Sequence, residues 1–251
     1  MLREHLAKKG LGEKDGFRWR SHEISRIEGF SDAVFAFAVT LLVVSLEVPE
    51  TFSELWEKMH GFVAFAICFV LLFMVWHDQY IFFRRYALKD AFTTWMNGAL
   101  LFVVLFFVYP LKFLFTMLVK AFSGASLEVH LPDGTTEAVI QIEQVPRLMI
   151  IYGLGFIAVS IIFVLLYHHA YRQRAHLELN EVESLKTRAS VQSHLLNIAV
   201  GLLSITIVVI GGPGFGFWSG ICYSLIGPLQ WLNGSLLGSR LKKLGEHHEA
   251  S

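Results

Sequence analysis

Charge is scarce in this sequence. Asp, Glu, Lys and Arg make up 17% of its 251 residues, and the signs cancel to a net charge of zero. Water-soluble domains carry about a quarter charged residues. A neutral chain with a pI near 7.2 has no electrostatic footprint for nucleic acid, so no nucleic-acid partner is expected. Cysteine is rarer still. Cys68 and Cys222 both lie in apolar stretches, too few for a disulfide framework or a thiolate metal site. There is no His-Glu-x-x-His pair, no Gly-x-Ser-x-Gly elbow and no Cys/His nucleophile arrangement. Neither an enzyme, nor a resident metal, nor a cofactor is therefore expected. What is plentiful is apolar: 54% hydrophobic residues, 22 of them Phe, with a mean hydropathy of +0.53. That balance describes a polytopic membrane protein.

Six runs are long enough to cross a bilayer, which takes about 20 apolar residues. They cover 27–48, 61–77, 96–119, 148–167, 191–210 and 215–237. In lipid each must be helical, because unpaired backbone groups are too costly there. The expected architecture is all-α, with 1–26 as an N-terminal segment, 27–237 as a six-helix transmembrane domain and 238–251 as a tail. The sixth run is the weakest, being interrupted by Gly, Pro228, Gln230 and Asn233. The polar start of the chain predicts no cleavable signal peptide. Of the 21 Lys and Arg, all but Lys58, Lys120, Arg147 and the intrahelical Lys112 fall on one side of this topology. The positive-inside rule then puts both termini in the cytosol, with the plasma membrane as the expected location.

Two connections merit comment. Apolar alternation around Pro132-Asp-Gly134 within 121–144 predicts a small extracellular hairpin. Gly211-Gly-Pro-Gly-Phe-Gly216 lacks the Lys-Ser/Thr of a phosphate loop and reads as a tight turn. Tyr152-Gly-Leu-Gly155 superficially resembles a potassium filter. It lies inside a continuous apolar span with no preceding half-helix, so close helix packing is the better reading and no re-entrant filter is expected. Gly220, Gly227 and Gly234, seven apart, predict a smooth face for another helix. His168-His169 and His247-His248 read as solvated.

The first run carries the most information. An ionisable residue inside a span is a functional hypothesis by default, and Asp32 is one. Arg26, Phe30, Val34, Phe37, Leu41 and Val44 fall on one helical stripe. Asp32 is about 140° around from Phe37, so the two cannot face the same space. If the apolar stripe faces a shared axis, Asp32 turns toward helices of its own subunit. Trp76, His77 and Asp78 end the second run, Thr94, Trp95 and Asn97 open the third, and His194 and Asn197 open the fifth. These all fall at the depth of Asp32. A hydrogen-bonded anchor of Ser31, Asp32, His77, Asn97, His194 and Asn197 is the expectation, with Arg26, Phe30, Trp76 and Trp95 in the same motif and structural network and Trp95 read also as an interfacial anchor. A proton relay is the alternative, because His titrates near neutrality.

Arg26-x-x-x-Phe30-Ser31-Asp32 followed by Ala-Val-Phe-Ala-Phe-Ala-Val-Thr40-Leu-Leu resembles the signature of the transmembrane protein 175 family of potassium channels. One six-helix repeat is similar to the family's prokaryotic members, which assemble as homotetramers. The resemblance implies a central pore lined by the first helix of each subunit, without a carbonyl filter. It implies an apolar constriction at Phe37, with Leu41 and Val44 as further pore residues and Thr40 as a pore-proximal hydroxyl. Members commonly carry Ile or Leu at the constriction, and Phe37 is bulkier. The expected function is a modestly potassium-selective channel whose apolar ring serves as gate and filter. Its partners would be copies of itself, membrane lipid, K+ and other monovalent cations. A proton-permeable channel or proton-coupled transporter using Asp32, His77 and His194 is the competing expectation.

Overall fold

The computed structural model describes residues 13–14, 16–21, 23–44, 50–123, 128–130 and 136–249. Two short strands, β1 (Glu13–Lys14) and β2 (Phe17–Arg18), precede α1 (Arg26–Val44), α2 (Phe52–Tyr86) and α3 (Ala91–Ser123). A hairpin of β3 (Glu128–His130) and β4 (Thr136–Ala138) leads to α4 (Val145–Arg172) and α5 (Glu181–Gly211). The chain ends in α6 (Gly216–Ile221) and α7 (Ile226–Glu249), with single 3-10 turns at Ile142–Gln144, Pro213–Phe215 and Cys222–Leu225. Among the described residues four stretches are long and apolar enough to cross a membrane: Phe62–Tyr86, Ala91–Ala121, Ile142–Arg172 and Glu181–Gly211.

Several helices outrun the hydropathy that marks them. α2 continues past His77 because Gln79, Phe82, Phe83 and Tyr86 still turn into the protein, each at most 2% exposed. Hydropathy drops where charge appears, whereas helicity persists as long as one face is buried. The sixth run, 215–237, departs from a single span. It divides into α6, a 3-10 turn and α7, and α7 runs on to Glu249, so most of 238–251 is helix rather than tail. Pro228 sits in the first turn of α7, where its missing N–H has no partner to lose. Gly212, at φ +73°, ends α5 in a conformation that only glycine adopts readily. β3 and β4 pair as Glu128↔Ala138, Val129↔Glu137 and His130↔Thr136, while Pro132-Asp-Gly134 lies outside the described residues.

α4 and α5 form the most extensive helix contact, and α1 packs on α2 and α3. The Tyr152–Gly155 stretch is part of continuous α4. A Cβ on Gly153 would lie 2.7 Å from Ile205 Cγ1, and one on Gly155 would run into the Phe107 ring, so these glycines let helices approach closely. Gly220, Gly227 and Gly234 differ. They are exposed, with nothing within 4 Å of a built Cβ, so among the described residues their face meets no helix of its own chain.

The stretch Phe17–Arg20 of the N-terminal segment is bound into the bundle despite its polar surroundings. Phe17 is fully buried, edge-on to Tyr86 at 5.5 Å, with the Arg85 guanidinium 4.8 Å over its ring. Arg20 donates through Nη2 to Glu183 Oε2 at 2.7 Å, through Nη1 to Arg85 O and through Nε to Leu177 O. The Arg18 N–H donates to Glu183 Oε1 at 2.9 Å. Glu183 also completes a capping box with Asn180 at the start of α5. One buried carboxylate thereby ties the segment before α1 to the α4–α5 turn.

A second polar clasp joins α3 to α4. Asp90 precedes α3, and its Oδ1 accepts the Thr93 N–H at 2.9 Å, the geometry of an N-cap. Its Oδ2 meets His169 Nε2 at 2.9 Å and accepts from Gln173 Nε2 at 3.2 Å. His169 is therefore engaged rather than solvated. Burial alone would raise the Asp90 carboxyl, but these hydrogen bonds outweigh it and hold it below the usual carboxylate range. A depressed carboxylate stabilises the fold above its unfolded pKa, near 3.9, and that stability is lost as pH falls through the lower folded value. Asp90→Ala is expected to cost about 1 kcal/mol at neutral pH through the lost cap. Melting curves in detergent should show the difference from the parent shrinking in acid below the carboxylate range; a pH-independent difference would contradict this assignment.

Candidate pore helix and the polar contacts behind it

α1 begins with a capping box. The Ser25 N–H and Oγ donate to Glu28 Oε2 at 2.7 and 2.6 Å, and the Glu28 N–H reaches back to Ser25 Oγ at 3.4 Å. From there the helix is two-faced. Ser31, Phe35, Ala38 and Leu42 are each at most 4% exposed and pack inward at spacings of four, three and four. On the other side Phe30 is 63% and Phe37 56% exposed, with Arg26 and Thr40 also outward. Val34 and Leu41 are only half-buried shoulders of the core, so the stripe is not uniform. They lie about 60° and 40° around the helix from Phe37, toward the buried side, which is why alternating steps of three and four do not keep them level with it. The Thr40 hydroxyl donates to Ala36 O at 2.9 Å, leaving its lone pairs outward. Val44 ends α1, and its side chain lies outside the described residues.

The polar residues behind α1 form separate groups instead of the single anchor expected. Gln79 Nε2 on α2 donates to Asn97 Oδ1 on α3, Asn97 Nδ2 donates to Ser31 Oγ at 2.9 Å, and Ser31 Oγ donates to Ile27 O at 2.7 Å. The three side chains are at most 2% exposed. This buried relay locks α1 against α2 and α3, since any member left unpaired would carry a desolvation cost of about 1–3 kcal/mol. Asp32 stands apart. Its Oδ1 accepts from Trp76 Nε1 at 2.8 Å. The pair borders a groove of about 260 Å³ between α1 and α2, walled by Phe35, Val39, Phe69 and Leu72.

The histidines join neither group. His194 on α5 lies flat against Phe163 at 4.8 Å and beside Tyr167 at 5.7 Å. Asn197 Oδ1 accepts from Gln230 Nε2 of α7 at 3.0 Å, and Gln230 Oε1 accepts from Ser193 Oγ. His77 is exposed on α2, in ring contact with Phe73 and Tyr80. Asp32, His77 and His194 make no hydrogen bond or ring contact with one another among the described residues. Trp95 is 76% exposed, away from buried Asn97. Thr94 also faces out, although it is three residues from Asn97; Thr93, four residues away, is the buried neighbour. Two participants escaped sequence reasoning, Gln79 and Gln230. The available signal was an uncharged amide inside an otherwise apolar helix face. Among the described residues no three His, Cys, Asp or Glu side chains converge as metal ligands.

The sequence model of the family described as endosomal/lysosomal potassium channel TMEM175 matches residues 26–107, from the start of α1 to the middle of α3. A protein named potassium channel from Marivirga tractuosa is 38% identical over 237 residues, covering 93% of this chain and 96% of that one. The crystal structure of a variant of the potassium channel MtTMEM175, in complex with a nanobody–MBP fusion, superposes with a TM-score of 0.78. It is 37% identical and covers 91% of this chain and 99% of its own. The crystal structure of a lysosomal potassium-selective channel TMEM175 homolog from Chamaesiphon minutus shares the fold at a TM-score of 0.55 and 24% identity, covering 85% and 99%. Near-full-length identity to the Marivirga channel, the match at the Arg26–Asp32 motif and the shared helical architecture converge: this multi-pass membrane protein belongs to the TMEM175 family of potassium channels, in its prokaryotic branch.

Proposed function

We propose that the chain is one subunit of a potassium-preferring channel, a homotetramer whose pore is lined by four copies of α1. Phe37 carries the reading. It is a large apolar side chain, 56% exposed, on a helix whose opposite face is fixed by the Ser31–Asn97–Gln79 relay. A helix held so firmly on one side presents the other to something beyond its own chain. Phe37, with Leu41 and Val44 further along, would form an apolar constriction that acts as gate and filter, and Thr40 would offer hydroxyl oxygens beside it. Such a ring admits ions according to how readily they shed water, which favours potassium over sodium without a carbonyl cage. Both termini would be cytosolic and the channel would sit in the plasma membrane, following the bias of Lys and Arg.

The test is a bi-ionic reversal potential with purified protein in planar bilayers. A shift toward the potassium equilibrium potential, with dissipative flux that needs no second gradient, is expected. Flux that requires a proton gradient would replace this reading with a proton-coupled transporter.

A further inference from the structure

Two arginines at the α4–α5 turn converge on one aromatic ring. The Arg174 guanidinium carbon lies 4.9 Å, and that of Arg188 4.7 Å, from the centre of the Tyr171 ring. Arg188 Nη2 also donates to Tyr171 Oη, and Arg174 Nη1 donates to Tyr171 O at 3.4 Å. Both arginines are exposed, and among the described residues neither makes an ion pair. The carboxylates of the turn are committed elsewhere: Glu183 to Arg20 at 2.7 Å and Glu178 to Arg18 at 4.0 Å, while Glu181 is also engaged. Two like charges held against one ring repel each other, and an anion between them removes that cost. Guanidinium groups supply forked donors that match the oxygens of a phosphate.

The place of this pair in the membrane points to where such an anion comes from. Tyr171 is one residue inside the end of the apolar stretch Ile142–Arg172, the level at which tyrosines mark the membrane–water boundary. Leu195 and Leu202 follow Arg188 by seven and fourteen residues, on nearly the same face of α5, and are 49% and 53% exposed. An anion site at the boundary with an open leucine track leading into the membrane fits a phospholipid, headgroup on the arginines and acyl chain on the leucines. A free phosphate would use only the first half. We propose that Arg174, Arg188 and Tyr171 bind the phosphate of an anionic phospholipid in the leaflet at this end of the bundle. The site lies on α4 and α5, so it stands whether or not α1 lines a pore.

In the experiment, the full-length protein is stripped of lipid in detergent and offered palmitoyl-oleoyl phosphatidylglycerol or phosphatidylcholine. Native mass spectrometry then counts the lipid retained. The two lipids share acyl chains, and only the first carries net charge. The parent is expected to retain phosphatidylglycerol about five- to thirty-fold better, a factor of about five for each arginine near the phosphate. Arg174→Gln/Arg188→Gln removes two exposed side chains without opening the core and should bring the ratio close to one. Arg147→Gln, exposed at the opposite end of α4, should keep the parent's ratio. Equal retention of the two lipids by the parent, a measure independent of any variant's folding, overturns the proposal. A double variant that keeps the parent's preference overturns it too, as does Arg147→Gln losing that preference equally. Inorganic phosphate separates the two sources of the anion. If it displaces phosphatidylglycerol more than chloride of the same ionic strength does, this is a site for free phosphate and the lipid assignment falls; phosphatidylglycerol retained equally in both supports it.

Discussion

Phe37→Ala is expected to raise single-channel potassium conductance roughly three- to ten-fold and to lower the potassium/sodium permeability ratio. A barrier lower by about 1 kcal/mol already multiplies a rate about five-fold, and a shortened apolar ring weakens the dewetting that an ion must overcome. Phe37→Asn should act in the same direction by giving water hydrogen-bonding partners at the constriction. The residue is suited to such a test because its ring is 56% exposed, so truncation leaves the subunit core intact. Phe35, two positions earlier and 4% exposed, supplies the contrast. Phe35→Ala should cost about 3–5 kcal/mol through cavity formation and appear as lost protein, not altered current. Parent-like currents in both Phe37 variants would remove Phe37 from the pore.

Glu183→Ala is expected to cost about 3–5 kcal/mol, the penalty for stranding a buried charge by deleting its partner. The stranded group is Arg20, whose side chain is 12% exposed beside a carboxylate that is 1% exposed. The same substitution frees the Arg18 N–H and halves the capping box of α5, so three interactions fail together. Glu183→Gln retains size and one acceptor and should lose less. The measurements are the melting temperature in detergent and the rate of tryptic cleavage at Arg18 and Arg20. Faster cleavage at those sites alone would indicate that the segment before α1 has detached; parent-like cleavage together with a parent-like melt would deny Glu183 the role of clasp. Because that segment leads within a few residues into α1, its release should also loosen the base of the pore helix.

Much of the membrane architecture is legible along the chain, because the cost of exposing backbone or charge to lipid acts on each segment separately. The apolar runs, the hairpin strands flanking Pro132-Asp-Gly134 and the two faces of α1 can all be read that way. The polar residues were harder. Ser31, Asp32, His77, Asn97, His194 and Asn197 fall at one expected depth, a pattern that suggests a single network. Depth says nothing of azimuth, however, and a turn of 60° separates Asn97, facing inward, from Thr94, facing out. Gln79 and Gln230, the amides that complete the separate groups, differ from their apolar surroundings by one polar head each and give no periodic signal.

The sequence alone determined that this is a multi-spanning helical membrane protein and, through Arg26–Asp32, its channel family, since composition and local motif act without regard to distant contacts. Only the tertiary structure decided which polar groups meet. It paired Glu183 with Arg20, more than 160 positions apart, and brought Lys112 to the Leu42 carbonyl of α1, because hydrogen bonds form between groups that packing makes neighbours, whatever their separation along the chain.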